Sequence, residues 1–111
     1  MLLIDSSLAK ICTIQGSDGQ SHKLNTIDKF IYQYLANSIL GNESVSEKGI
    51  SYDLGVSLGT VNNCIKKLVK VGFISKDRVK HKGQWKGTTY KVYDFLSLEG
   101  VKYFNLKGEQ L

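Results

Sequence analysis

Proline is absent from this chain of 111 residues, and arginine, tryptophan and methionine each occur only once. Without proline, no helix is forced to kink and no turn depends on a cis peptide bond. Cys12 and Cys64 form neither a disulfide framework nor a metal cluster, and they fit a reducing setting. No apolar run approaches the roughly 18 residues of a membrane span, and the first residues lack the basic start of a secretory signal. We expect a cytoplasmic protein that does not enter a membrane.

Catalytic motifs are also missing from the sequence. The two histidines, His22 and His81, lie far apart and on different predicted elements. No Ser-His-Asp order, phosphate-cradling glycine loop or metal-ligand cluster is apparent. We therefore expect no enzymatic activity, no metal ion and no cofactor.

Positive charge is present in plenty, and it is clustered. The segment from Asn62 to Tyr93 contains nine Lys or Arg residues and one acid, Asp77. Its net charge is therefore +8, whereas the net charge of the rest of the chain is −3. A concentrated positive field beside an acidic remainder is typical of a surface that binds a polyanion. The alternative is a solvated lysine-rich face with no partner.

The hydrophobic fraction of 41% is enough for a packed core, and 111 residues suit one domain, 1–111. Residues 1–24 are predicted to form an N-terminal arm or hairpin, because Asp18-Gly19 is a hairpin signal. Over 25–41 apolar residues recur at helical spacing behind a cap at Asn25 or Thr26, which predicts a long helix with Asp28 in its first turn.

Two shorter helices are predicted over 46–72. Ser44 and Glu47 have the spacing of a capping box for the first of them, and Gly55 ends it. Ser57 is placed to cap the second, whose apolar stripe of Val61, Cys64, Ile65 and Leu68 lies opposite Asn and Lys residues.

Beyond Gly72 the period of the pattern changes to two. The runs FISKDRVK and TTYKVYDF predict an antiparallel hairpin over 73–95 with a basic tip. Ser97 is placed to cap a final helix over 97–106. The predicted fold is α+β, mainly α: a winged helix-turn-helix with a three-helix core, a β-hairpin wing and a C-terminal helix.

The stretch ISYDLGVSLGTVNNCIKKLVKVGFI resembles the helix-turn-helix core of winged-helix regulators of the MarR and GntR kinds. The later LSLEGVKYF is similar to the opening of the helix after the wing in MarR-like and PadR-like proteins. Gly49 departs from the pattern, and the region before Asn25 matches no regulator pattern. The phrase LNTIDKFIYQYLANSILGN is also similar to replication-initiator and origin-organising domains of plasmids and phages.

The second of the short helices carries candidate DNA contacts. A major groove admits one helix, and Asn pairs bidentately with adenine there. We assign base readout to Asn62, Asn63 and Lys66, with ordinary polar helix surface as the alternative for the asparagines. Thr60 and Lys67 are predicted to position the helix, and Lys70 to reach a phosphate or guanine. Ser57, Gly59 and Thr60 lie at the helix N-terminus, which favours a phosphate.

The hairpin is the second predicted contact. Its basic tip could enter the minor groove or follow the backbone, through the candidate residues Arg78, Lys80, Lys82, Trp85 and Lys86. Arg78 is assigned to a phosphate. Trp85 either stacks on a sugar or base, packs on a partner protein, or folds back onto the hairpin.

The function predicted from these features is sequence-specific binding of double-stranded DNA by a homodimer, as a transcriptional repressor with no small-molecule effector. Binding at a plasmid or phage origin or centromere is an alternative, because it uses the same surface. A winged-helix module for protein interaction is a further alternative. Dimer contacts are expected from the N-terminal segment, the first long helix and residues 98–104.

Overall fold

The computed structural model describes residues 6–40, 45–81 and 84–111, and the side chains among them except at positions 6, 39, 40, 78–81 and 84–88. The elements, in chain order, are α1 (Ser6–Lys10), β1 (Thr13–Gln15), β2 (Ser21–Lys23), α2 (Thr26–Leu40), α3 (Glu47–Leu54), α4 (Leu58–Lys70), β3 (Ile74–His81), β4 (Gln84–Val92), a 3₁₀ turn (Phe95–Ser97) and β5 (Lys102–Phe104). The fold is α+β, as expected.

Helix α2 confirms the long helix predicted over 25–41. Its start is fixed by Asp28, whose carboxylate accepts a hydrogen bond of 2.8 Å from the backbone N–H of Asn25. This bond satisfies a donor that the first turn of a helix leaves unpaired. Ile31 and Leu35 lie one turn apart on its inner face and are fully buried.

Helices α3 and α4 lie within the predicted 46–72 segment and are joined by a tight turn. The cap of α3 is Ser46, which accepts from the backbone N–H of Gly49 at 3.0 Å, so the capping box predicted for Ser44 is wrong. Gly55 ends α3 in the left-handed conformation, with φ of 67°, as expected of a residue without a Cβ. Ser57 caps α4 as predicted.

Strands β3 and β4 pair in an antiparallel hairpin, which we call the basic hairpin because it carries Lys76, Arg78, Lys80, Lys86 and Lys91. Its base is anchored in the core, where Ile74 lies opposite Val92 and is buried. The register shifts between Val79 and Lys80, and a bulge at such a point bends the strand.

The two ends of the chain meet in a second sheet, the terminal sheet, with strand order β2-β1-β5 and antiparallel pairing throughout. The hairpin expected within residues 1–24 is present as β1–β2, whereas α1 was not predicted. The C-terminal helix predicted over 97–106 is wrong. Gly100 takes a left-handed φ of 73°, and the chain then enters β5, which pairs with β1 and places Tyr103 opposite Ile14.

The core connects the helices to both sheets. Phe73, at the end of the α4–β3 connection, is fully buried. Its ring lies 5.1 Å from that of Tyr32 and 6.1 Å from that of Tyr103, in tilted or edge-on arrangements that aromatic pairs favour. Burial raises the pKa of Tyr103 to about 12, so its hydroxyl stays protonated and donates to the carbonyl of Phe95.

In the part of the chain that the structure describes, no helix combines the length and the apolar character needed to cross a membrane. The longest of these helices, α2, has 15 residues.

Candidate nucleic-acid interface

Helix α4 is divided sharply between a buried side and an exposed side. Val61, Cys64, Ile65 and Leu68 are buried against the core, as the sequence predicts. Gly59, Asn63, Lys66 and Lys70 recur at spacings of four, three and four residues, and all four are exposed. Since an α-helix turns through about 100° per residue, these positions lie within about 60° of one another. They form what we call the exposed face of α4.

Two further candidate residues of α4, Asn62 and Thr60, lie to either side of the exposed face. Asn62 is half-buried and Thr60 is exposed, each roughly 70–90° from the centre of the exposed face. The side chains of Asn62, Asn63, Lys66 and Lys70 have no hydrogen-bond or ion-pair partner among the described residues. Their amide and ammonium groups are therefore available to a ligand.

The N-terminus of α4 is closed by its own cap. Ser57 Oγ accepts from the backbone N–H of Thr60 at 3.2 Å and lies 2.8 Å from the Thr60 hydroxyl oxygen. Gly59 is exposed, and a Cβ built on it would meet nothing within 4 Å. Because Ser57 already accepts from the Thr60 N–H and the two hydroxyl oxygens are hydrogen-bonded to each other, the phosphate contact expected at this N-terminus stays a prediction.

Lys67 is held within the protein rather than offered to solvent. Its Nζ lies 2.7 Å from Oδ2 of Asp28 on α2, and only 28% of its side chain is exposed. The Asp28 side chain is 1% exposed, so this ion pair is shielded from water on the carboxylate side. The structure thus separates Lys67 from Lys66, two lysines that sequence reasoning grouped as DNA contacts.

Asp28 also faces the thiol of Cys64 on α4. Burial, then the hydrogen bond to Asp28, raises the pKa of the thiol to about 12. Oδ1 of Asp28 is buried and accepts no hydrogen bond among the described residues. The Asp28–Lys67 ion pair thus joins α4 to α2 in addition to their apolar packing.

The predicted hairpin contacts can be placed only by their backbone. Arg78 and Lys80 lie on β3, opposite Thr88 and Trp85, and Lys86 lies on β4. The side chains of Arg78, Lys80, Trp85 and Lys86 and the whole of Lys82 are outside the described residues. The described side chains include exposed Lys91 on β4 and exposed Lys48 on α3.

Sequence reasoning missed one polar contact beside this surface. Glu47, at the start of α3, accepts from Lys76 Nζ at 3.0 Å and from the Tyr90 hydroxyl at 3.2 Å. It thereby joins α3 to both strands of the basic hairpin. The only sequence signal was an acid in a helix first turn, which indicates a cap rather than a distant partner.

No match to this chain is found among known protein families, curated proteins or solved structures. Among the described residues, no group of three or more His, Cys, Asp or Glu side chains is arranged to hold a metal ion.

Proposed function

We propose that this chain is a winged helix-turn-helix protein that binds double-stranded DNA, with α4 in the major groove and the basic hairpin as the wing. The succession of α2, α3, a tight turn, α4 and a β-hairpin supports this fold. The observation that carries the function is the exposed face of α4. Its amide and ammonium groups have no partner among the described residues and lie opposite an apolar side.

The chemistry of this face matches the edges of base pairs. A helix fits the major groove, where Asn reads adenine and Lys reads guanine or a phosphate. Asn63 lies on the exposed face, one turn into the helix, and Asn62 lies beside that face. Lys66 and Lys70 continue the same line toward the C-terminus of α4. Lys67 has no part in this proposal, because Asp28 holds its ammonium group.

We propose that the task of this DNA binding is regulation of transcription in the cytoplasm, by a homodimer on paired half-sites. The partner surface that we propose is an apolar patch on the terminal sheet side, around exposed Leu96 and Leu106. Both leucines border grooves that share Lys10, and one groove is also lined by Lys107 and Glu109. In a two-fold interface every contact between two different residues occurs twice, so a rim that carries charges of both signs allows unlike charges of the two copies to pair. None of these residues belongs to α4 or the basic hairpin.

Selection of binding sites from a random duplex pool tests the claim of sequence-specific binding. The wild-type chain is expected to enrich one motif. Asn63→Ala should relax discrimination at one base pair, by about 1–3 kcal/mol for a lost bidentate contact. Asn62→Ala is the matched control on the same helix and should have the smaller effect, since Asn62 is half-buried at the edge.

Two results would contradict this proposal. Failure of the wild-type chain to enrich any motif would remove sequence-specific binding. Identical motifs from wild-type and both asparagine variants would remove the base-reading role of α4. If a motif is found, mapping its genomic occurrences distinguishes promoter sites from repeats at an origin of replication.

A further inference from the structure

The Glu47 carboxylate contacts both strands of the basic hairpin at one pair of opposite residues, Lys76 and Tyr90, which we call the rung. Lys76 on β3 and Tyr90 on β4 are directly opposite each other in the hairpin register. Oε2 of Glu47 accepts from the Nζ of Lys76 at 3.0 Å and from the hydroxyl of Tyr90 at 3.2 Å. Helix α3 is thereby linked to the two strands through one atom.

The surroundings of this contact favour its persistence. Glu47 is the first residue of α3, next to the Ser46 cap, where the helix dipole stabilises a negative charge. The side chains of Glu47 and Lys76 are only 21% and 28% exposed, so the ion pair is partly shielded from solvent. Burial, followed by the charge of Glu47, raises the pKa of Tyr90. The hydroxyl therefore remains a donor at every physiological pH.

Because the Lys76–Tyr90 rung lies near the base of the hairpin, a small rotation there displaces the far end of the strands. Ile74 and Val92 anchor the base in the core, and Lys76 and Tyr90 follow two residues further along each strand. This rung is the outermost tertiary anchor of the hairpin among the described residues. With a rise of about 3.3 Å per residue, the five steps along β3 from Lys76 to His81 span roughly 17 Å. A rotation of about 10° at the rung therefore moves the His81 end of the strand by about 3 Å.

We propose that Glu47 is a positioning residue that sets the angle of the basic hairpin against α3 and α4, so that hairpin and exposed face reach one duplex together. The inference rests on the proposed DNA binding. Glu47 bears a negative charge and contacts no DNA itself in this scheme. Its effect on binding passes entirely through the lysines of the hairpin.

A double-mutant cycle tests this mediation. Glu47→Ala is combined with the triple change Lys80→Ala, Lys82→Ala and Lys86→Ala, and affinity for a duplex is measured by fluorescence anisotropy. Glu47→Ala alone should weaken binding up to about tenfold, the factor expected for one lost interaction. In the triple background it should change affinity less than twofold, because the contacts through which it acts are already gone.

Three further variants separate positioning from charge and from folding. Asp77→Asn removes an exposed acid of the hairpin without touching the rung, and it should leave binding unchanged or strengthen it. Glu47→Gln keeps an acceptor oxygen and should restore most of the affinity. Tyr90→Phe keeps the ring and removes one of the two donors, so it should weaken binding by less than Glu47→Ala.

Hydroxyl-radical footprints of the bound duplex supply a readout that a purely stabilising role would not move. Glu47→Ala should lose the protection that the triple lysine variant loses, and keep the protection due to α4. Two results for Glu47→Ala would overturn this inference alone. One is equal weakening of binding in the wild-type and triple-lysine backgrounds. The other is an unchanged footprint together with an affinity that rises, as it does for Asp77→Asn. No binding by the wild-type chain would overturn the proposed function and this inference with it.

Discussion

At the scale of single residues, the adjacent lysines Lys66 and Lys67 lie in different environments. Lys66 is exposed and has no internal partner among the described residues, whereas Lys67 lies 2.7 Å from a buried carboxylate. On a helical wheel the two positions are about 100° apart, and the sequence offers no sign of which lysine an acid will hold. Asp28 is 39 residues away along the chain, so the distinction depends on how α2 and α4 pack.

This difference predicts that substituting Lys67 lowers stability, whereas substituting Lys66 weakens DNA binding. Lys67→Ala leaves the Asp28 carboxylate buried without its cation, which typically costs about 3–5 kcal/mol for a fully buried pair. We expect about 2–4 kcal/mol of lost unfolding free energy here, because Lys67 keeps partial contact with water. Lys66→Ala should change stability by less than about 0.5 kcal/mol and weaken DNA binding instead. Urea denaturation measures the first effect and anisotropy the second.

Equal stability of the two lysine variants would show that the Asp28–Lys67 pair contributes nothing to packing α4 on α2. Lys67→Met is the control for lost side-chain packing, because it keeps a long apolar stem without the charge.

At the scale of secondary-structure elements, what could be predicted was local. Helices α2 and α4 carry clear apolar periodicity with a cap or stop beside it, and both lie where the sequence places them. The basic hairpin was likewise predicted from its alternating pattern. These signals arise within about ten residues of each element, so no knowledge of packing was needed.

The error at the C-terminus has a non-local cause. The apolar residues of LSLEGVKYF fit helical spacing, and Ser97 is a reasonable cap. The segment instead becomes β5, since β1 offers it an unpaired edge: Cys12 donates its backbone N–H to the carbonyl of Phe104 at 2.8 Å. A partner strand some 90 residues earlier in the chain leaves no trace in the local pattern. Glu47 was missed for the same reason.

At the scale of the whole molecule, the described structure presents two surfaces of different chemistry. Apart from Gly59, the exposed face of α4 and the basic hairpin come from the segment between Asn62 and Tyr93, which has a net charge of +8. The terminal sheet side presents Leu96, 65% exposed, and Leu106, 89% exposed, beside charges of both signs. If the first surface binds DNA and the second a copy of this chain, one molecule can do both at once.

Substitution on the apolar patch tests this arrangement. Leu96→Glu with Leu106→Glu should convert a dimer into a monomer, because burying two carboxylates without partners is strongly unfavourable. Sedimentation velocity measures the change in mass. Tyr52→Glu, at an 89% exposed position on α3, is the matched control and should leave the dimer intact. A wild-type chain that sediments as a monomer at high micromolar concentration would contradict the proposed dimer.

The salt dependence of duplex binding by matched lysine variants tests the central claim most directly. For the wild-type chain, log K should fall linearly with log salt concentration, with a slope of about −0.9 for each phosphate neutralised. Lys66→Ala with Lys70→Ala should flatten that slope by about 2. Lys23→Ala with Lys102→Ala removes the same charge from exposed positions outside α4, the basic hairpin and the grooves at Leu96 and Leu106. This control should leave the slope unchanged. Equal slopes for both double variants, or no salt-dependent binding by the wild-type chain, would contradict the assignment of the exposed face of α4 to DNA.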